Sequence, residues 1–556
     1  MRLTLKAVAY LAALTALSAP TPSSSAERLF NFREAPHSYF EHKPNDRLAR
    51  LQADLAAGKA ELDTSSDNAF LVSILKALEI PVSSQILVFS ATSLQSEIIN
   101  PRNPRALYFN DDTYLGWVPG GRVEVSAIDP EMGPMFYVYE RFTPGRIPVP
   151  ERSTRCFACH AGTATNYVPG LIADSVLVSM AGSSLQTFRR DEQGHQIPLE
   201  SRFGGWLLTG KHNLTKHEAN VAGKSDAGKI ERFDASPGRF SDLSLHLRPT
   251  SDILPHLVHE HQLGFENRLF QMSYLLRQRK HEGKGRLTPE AEKEIDALAA
   301  DLARYILFAN EAPLPPKGIE GDPDFIRDFQ SKKVTTRSGH SLKDFDLKTR
   351  LFKYRCTYML YTDSWKDAPK DLKNRVYLHM AQGLKESGTP RDLSHLPVSE
   401  RLAIRTILKE TLPDLPPGGA KSPQKVVQVL PPANLAPFIP AAKHFRPRFR
   451  PFPPPSHKIS PPHTPNPIHQ TLCSCKETRN KNVPVTVQCP QSSSSPPDNP
   501  LLPHRSSARA ARPQRQSRTQ TKIKQAKPHT NQTHEKIART RPLPLRRHLH
   551  HGRRIP

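Results

Sequence analysis

The chain changes character near residue 420, and that break limits what the molecule can fold into. Residues 421–556 hold 25 Lys and Arg against three Asp and Glu, which leaves 53 and 50 of the chain's 78 and 53 for residues 1–420. The formal charge of +25 is therefore carried almost wholly by the C-terminal quarter. That quarter, with "PPANLAPFIPAAKHFRPRFRPFPPPSHK" and "RRHLHHGRRIP", also contains 25 of the 54 prolines and a single glycine, Gly552. It has neither a helical nor a strand period. Such a segment cannot bury enough apolar surface to offset chain entropy, so 421–556 is expected to be a disordered Pro/Arg-rich basic tail. The charge suits an electrostatic arm for nucleic acid or for an anionic cell-surface polymer. Few aromatics are present to stack bases, so no specific nucleic acid is expected. The near absence of glycine and acids also resembles translation out of frame or past a lost stop, and no function is assigned to the tail.

The chain opens with Arg2 and Lys6, then the apolar "AVAYLAALTALSA" of residues 7–19, then small residues at Ser24 and Ala26 before Glu27. This is the layout of a secretory signal, expected over residues 1–26. The apolar run is too short to span a bilayer comfortably, and no later stretch approaches a transmembrane helix. The mature protein is expected to be periplasmic or secreted, with no membrane span.

Residues 27–420 are near neutral and long enough for a real core. The expected fold class is α+β, with N-terminal helices and an antiparallel sheet, then a motif-bearing loop, then a helical C-terminal half. "DRLARLQADLAAG" and "DNAFLVSILKALEI" read as helices closed by Gly58 and Pro81. The short, aromatic and β-branched runs 85–91, 105–111, 113–118, 122–128 and 135–142 predict an antiparallel meander, with Pro119-Gly120-Gly121 as one turn. "SRFGGWLLTGKHN", 201–213, reads as a further strand pair. From about 250 to 413 the period is helical: "DILPHLVHEHQLGFENRLFQMSYLLRQRK" is one long helix, and Pro289 suits the first turn of the next. The body thus divides into an α+β region, 27–248, and a helical region, 249–420.

Chemistry is concentrated at "STRCFACHAG", where Cys156-Phe157-Ala158-Cys159-His160 forms a C-x-x-C-H run. Two thiols spaced by two residues can add across the two vinyl groups of a haem, and the adjacent histidine then falls beneath the porphyrin to ligate iron. In an exported chain this predicts one covalent haem c on Cys156 and Cys159, with His160 as proximal ligand. A structural zinc site would want a second ligand pair, and Cys356 has no such partner. A thioredoxin-type pair would sit between a strand and a helix of a βαβ unit, whereas "PGRIPVPERSTR" precedes this one. A plain disulfide is the remaining alternative. His259-Glu260 lacks the second histidine of a zincin, having Leu263 there, and no G-x-S-x-G, phosphate loop or dinucleotide fingerprint stands in context.

For the sixth iron position, His261 lies on the apolar stripe of the long helix with Leu254, Leu257, Phe265, Leu269, Met272 and Leu276, so it is expected to face the core. His212 and His217 are the lower-ranked alternatives. His256 falls off that stripe and His259 is expected to face solvent. The bland reading of His261 is a core histidine bonded to backbone.

The blocks "PVSSQILVFSATSLQ", "NPRALYFNDDTYLGWVPGG", "CFACH" with "VPG" behind it, "RFGGWLLTGKH", "HEHQ" and "LFKYRCTYMLYTDSW" make residues 45–415 resemble a family of exported bacterial proteins with a single c-type haem motif. The family is functionally uncharacterised. Glu266-Asn267 stands where the resemblance implies His-Asn, so no histidine ligand is offered at 266. The resemblance implies covalent haem but no assigned reaction. An electron-transfer cytochrome with a redox partner and a haem-dependent, peroxidase-like oxidoreductase with a small-molecule substrate both remain open. A non-haem binding module stapled at C-x-x-C is the third class, and whether the chain is an enzyme stays open.

Overall fold

The computed structural model describes residues 31–189 and 193–416. The expected signal, 1–26, and the expected tail, 421–556, lie outside the described residues. The fold is α+β, as the sequence pattern predicts.

Helix α1 (Arg47–Ala56) starts at Asp46, whose Oδ1 accepts from the Ala49 amide at 2.9 Å while Oδ2 accepts from the Tyr137 hydroxyl at 2.6 Å. One carboxylate thus caps the helix and ties it to the sheet. Helix α2 (Asp67–Ala77) is capped by Ser66. The expected meander is present as a six-stranded antiparallel sheet in chain order: β1 (Ile86–Val88), β2 (Arg105–Phe109), β3 (Thr113–Trp117), β4 (Glu124–Asp129), β5 (Gly133–Tyr139) and β6 (Pro150–Arg152). Side chains alternate across it. Trp117, Tyr137 and Tyr139 face α1 and α2, where Trp117 donates to Asp67 and Tyr139 packs on Phe70. Phe109, Tyr114, Ser126 and Phe136 take the other face.

A one-turn helix, α3 (Phe157–His160), follows β6. Next comes a second sheet absent from the sequence expectations: β7 (Ser175–Ser179), β8 (Ser184–Arg189), β9 (Val221–Asp226) and β10 (Lys229–Asp234), in the order β10-β9-β7-β8 with β7 and β9 parallel. The strand pair expected at 201–213 does not form. Phe203, Gly205 and Gly210 all take left-handed φ, and the segment is wedged between the two sheets. Its Gly205 carbonyl accepts from the Phe89 amide at 2.8 Å, and its Gly204 carbonyl from the Val176 amide at 3.0 Å. Those bonds satisfy the backbone without a hairpin.

The remaining elements are α4 (Ile253–Glu282), α5 (Pro289–Ile306), α6 (Pro323–Gln330), α7 (Asp363–Lys366), α8 (Lys370–Gly383) and α9 (Val398–Thr411). Asp252 caps α4 and also accepts from the Asp322 amide at 3.1 Å, which draws the start of α6 against it. Thr288 caps α5, with Pro289 in its first turn as expected. Every residue of α4 from Ile253 to Glu266 is buried, so this half of the helix has no solvent face. One hydrophobic cluster runs from Phe32 to Leu412 and joins the regions on either side of residue 249. Among the described residues no helix is long and apolar enough to cross a membrane.

Candidate haem-attachment site

The C-x-x-C-H run is held as a single turn. The His160 amide bonds the Cys156 carbonyl at 2.9 Å, and the incoming chain is pinned by the Ser153 amide on the Phe136 carbonyl at 2.8 Å. Phe157 is the anchor. It is buried among Phe32, Tyr39, Phe40 and Phe136, with ring centroids 5.0–5.5 Å away. With the second residue of the run sunk in an aromatic cluster, Cys156 is left half-buried and Cys159 exposed, and both thiols are free. Residues three and four apart share a helix face, so one turn presents Cys156, Cys159 and His160 together. Burial pushes the Cys156 thiol up.

His160 has a defined tautomer. Its Nδ1 lies 2.9 Å from the Gly170 carbonyl oxygen, which can only accept, so Nδ1 carries the proton and Nε2 keeps its lone pair. The Gly170 amide returns a bond of 2.9 Å to the His160 carbonyl. Asn267 of α4 clamps the next residue from both sides, its Oδ1 accepting from the Leu171 amide and its Nδ2 donating to the Leu171 carbonyl, each at 2.8 Å. A Cβ at Gly170 would meet Thr165 at 2.7 Å and Asn267 at 2.9 Å, so only glycine fits. The His160 ring rests on Phe136, centroids 4.6 Å apart, and burial lowers its pKa to about 4. It is a neutral imidazole at neutral pH, the form that ligates metals.

The wall beside it bears polar atoms that have no protein partner. On the sheet face that holds Phe136, the Arg105 guanidinium crosses over Gly116 to pair with Glu124 at 2.6 Å, and its charge bears on both His160 and Cys156. Arg105 Nε, Glu124 Oε1, Ser126 Oγ and Tyr114 Oη are buried on that face without a hydrogen bond. Buried polar groups are paired as a rule. Four such atoms on the sheet face where His160 rests are what a group bringing polar substituents of its own, as a haem does, would engage. The residues present therefore fit the cofactor the motif implies.

The other expected ligands lie elsewhere. His261 is buried as expected, but its Nδ1 lies 2.8 Å from His195 Nδ1 and its Nε2 2.7 Å from Thr357 Oγ1. Its ring is stacked on Phe308 and Tyr305. With both nitrogens engaged, neither is free for iron in this arrangement. His212 and His217 sit edge to face, centroids 5.1 Å apart, on a loop bound to residues 318–320. His212 Nδ1 accepts from the Leu214 amide at 3.1 Å, and neither ring touches the turn around His160. His256 bonds Ser251 and the Leu207 carbonyl. His259 is buried, not solvent-facing as expected, because this half of α4 is enclosed on all sides.

The three residues of the motif share one turn, as their spacing implies, while Gly170, Asn267 and Arg105 around them were not singled out as site residues. Only the "VPG" and Glu266-Asn267 marks pointed toward the first two. Among the described residues no cluster of three or more His, Cys, Asp and Glu is gathered to hold a metal ion. Comparison with family models, with curated proteins and with solved structures finds no match to the chain.

Proposed function

We propose that this protein is exported, carries one covalently bound c-type haem, and passes electrons through it to a redox partner. The observation that carries the reading is the His160–Gly170 bond beside two free thiols on the same turn. Haem bound there through thioethers to Cys156 and Cys159 would supply one-electron iron chemistry. This chain's residues do the rest. Phe157 fixes the turn. The Gly170 carbonyl holds the Nδ1 proton, so Nε2 is the donor, and sharing that proton makes the imidazole more basic. Asn267 keeps the carbonyl in place. Arg105, held by Glu124, would supply positive charge to a bound haem's carboxylates. Export rests on the signal-like residues 1–26.

The second reading is a haem-dependent oxidoreductase acting on a small molecule, and the run of unpaired polar atoms on the sheet face favours it. Iron coordination separates the two. An open sixth position permits substrate chemistry, while two protein ligands favour electron transfer. The haem reading itself is tested by maturing the full chain with a c-type assembly system and staining a denaturing gel for peroxidase activity. The wild type should stain, and the Cys156→Ala/Cys159→Ala variant should not. An unstained wild type overturns the reading.

A further inference from the structure

Six histidines are nearly or fully buried: His37, His195, His246, His256, His259 and His261. Five have hydrogen-bond partners in the protein. His37 is bonded to Gln278, His195 to His261, His246 to the Pro104 carbonyl at 2.9 Å, His256 to Ser251, and His261 to His195 and Thr357. His259 is the exception: among the described residues neither of its ring nitrogens has a partner, although the residue is only 5 % exposed. With no hydrogen bond from the chain, both nitrogens are left to whatever group from outside the chain reaches them.

Its position says what that could be. The ring lies 5.3 Å from Phe109, 5.6 Å from Tyr114 and 6.4 Å from Trp206, so it faces the six-stranded sheet. Tyr114, Ser126 and Phe136 are cross-strand partners in one row of that sheet face. His160 rests on Phe136 at one end of the row, and His259 meets Tyr114 at the other, two strand spacings or roughly 10 Å along. That span is on the scale of a macrocycle with an imidazole on either side. The atoms along it are the unpaired ones, Ser126 Oγ and Tyr114 Oη, and Glu266, two turns beyond His259 on the same side of α4, adds an unpaired Oε2. Helix α4 also carries Asn267, which holds Leu171 next to Gly170, the partner of His160, so one rigid element addresses both ends of the row.

We propose that His259 is the second axial ligand of the iron, opposite His160. This rests on the haem reading and assigns the coordination that reading leaves open. It also selects electron transfer over substrate chemistry at rest, because two imidazoles fill both axial positions.

The test uses the full chain with covalent haem, read by ferric optical and electron paramagnetic resonance spectra. The wild type should be six-coordinate and low-spin. His259→Gly should become high-spin, and added imidazole should restore the low-spin spectrum. His261→Ala should stay low-spin. Should the glycine variant fail to fold, His259→Met keeps the volume and should bring in the near-infrared sulfur-to-iron charge-transfer band. A high-spin wild type, a low-spin His259→Gly without imidazole, or a His259→Met spectrum identical to wild type would each overturn the assignment while leaving covalent haem standing. Absence of covalent haem from the wild type would overturn the haem reading, and this one with it.

Discussion

Helix α4 carries two buried polar groupings on opposite sides, and they differ in whether ion pairs hold them. Toward the 189–202 segment, Glu260 is gripped by Arg189 at 2.6 Å and Arg202 at 3.0 Å, with exposures of 7 %, 5 % and 2 %. Next to it His261 spends both nitrogens on His195 and Thr357. Toward the sheet, His259 has no partner, and Glu266 uses only Oε1, which accepts from Ser364 Oγ at 2.9 Å. Both groupings are equally dry. The first grouping is closed by two ion pairs, although His195 Nε2 within it has no hydrogen bond, and it ties helix, loop and core together; the second, open grouping holds no ion pair among the described residues.

The comparison can be broken most sharply at Glu260. Replacing it with Ala removes the counter-charge between two buried guanidiniums, and loss of one partner in a buried ion pair costs roughly 3–5 kcal/mol. The variant should show that drop in urea unfolding monitored by circular dichroism. A loss below about 1 kcal/mol would mean that the closed side is not closed. His261→Ala comes next. It leaves His195 Nδ1 unmatched and takes from Thr357 Oγ1 one of its two partners, so stability should fall by about 1–3 kcal/mol. If the proposed haem is bound, the same variant should keep the wild-type spectrum.

On the open side the effect is one of pH. Burial raises the Glu266 carboxyl from 4.5 to about 8. The folded protein then binds this proton more tightly than the unfolded chain, so the contribution is full at low pH and is lost as pH climbs from about 4.5 toward 8. The buried histidines act with opposite sign. His259 and His261 are lowered to about 3, so their contribution is full above the unfolded value of 6.5 and is lost as pH falls toward 3. Glu266→Gln should remove the decline at high pH and leave the acid limb intact, measured as unfolding midpoints between pH 5 and 9. Parallel wild-type and variant curves would mean that Glu266 ionises freely. The smallest change is expected from ending the chain at Gly419. The unfolding midpoint should stay put, while retention on an anionic polymer should fall sharply, because residues 421–556 hold nearly all the net charge and such binding is screened by salt.

Much of the frame was legible in the sequence, because it is written locally. Alternating aromatic and β-branched residues announced the five principal strands of the meander, and Pro289 marked the first turn of α5. The second sheet escaped notice because its β9 and β10 are short, polar and largely exposed, with no apolar period to see. The 201–213 segment misled because its aromatic and glycine content imitates a hairpin, while the left-handed turns at Phe203, Gly205 and Gly210 fit it between two sheets instead.

The sequence by itself determined that Cys156, Cys159 and His160 share one turn, since that follows from spacing along a helix, and that His259 and His261 point to different sides of α4, since two residues are about 200° apart. It could not say which side is covered. The stripe argument assumes a helix with one wet face, and here residues 253–266 have none. Which imidazole is satisfied was decided by Thr357, 96 residues from His261, and which carbonyl orients His160 was decided by Asn267, 96 residues from Leu171. Partners at such separations are brought together only by packing, because a hydrogen bond is fixed by distance in space and leaves no period in the chain.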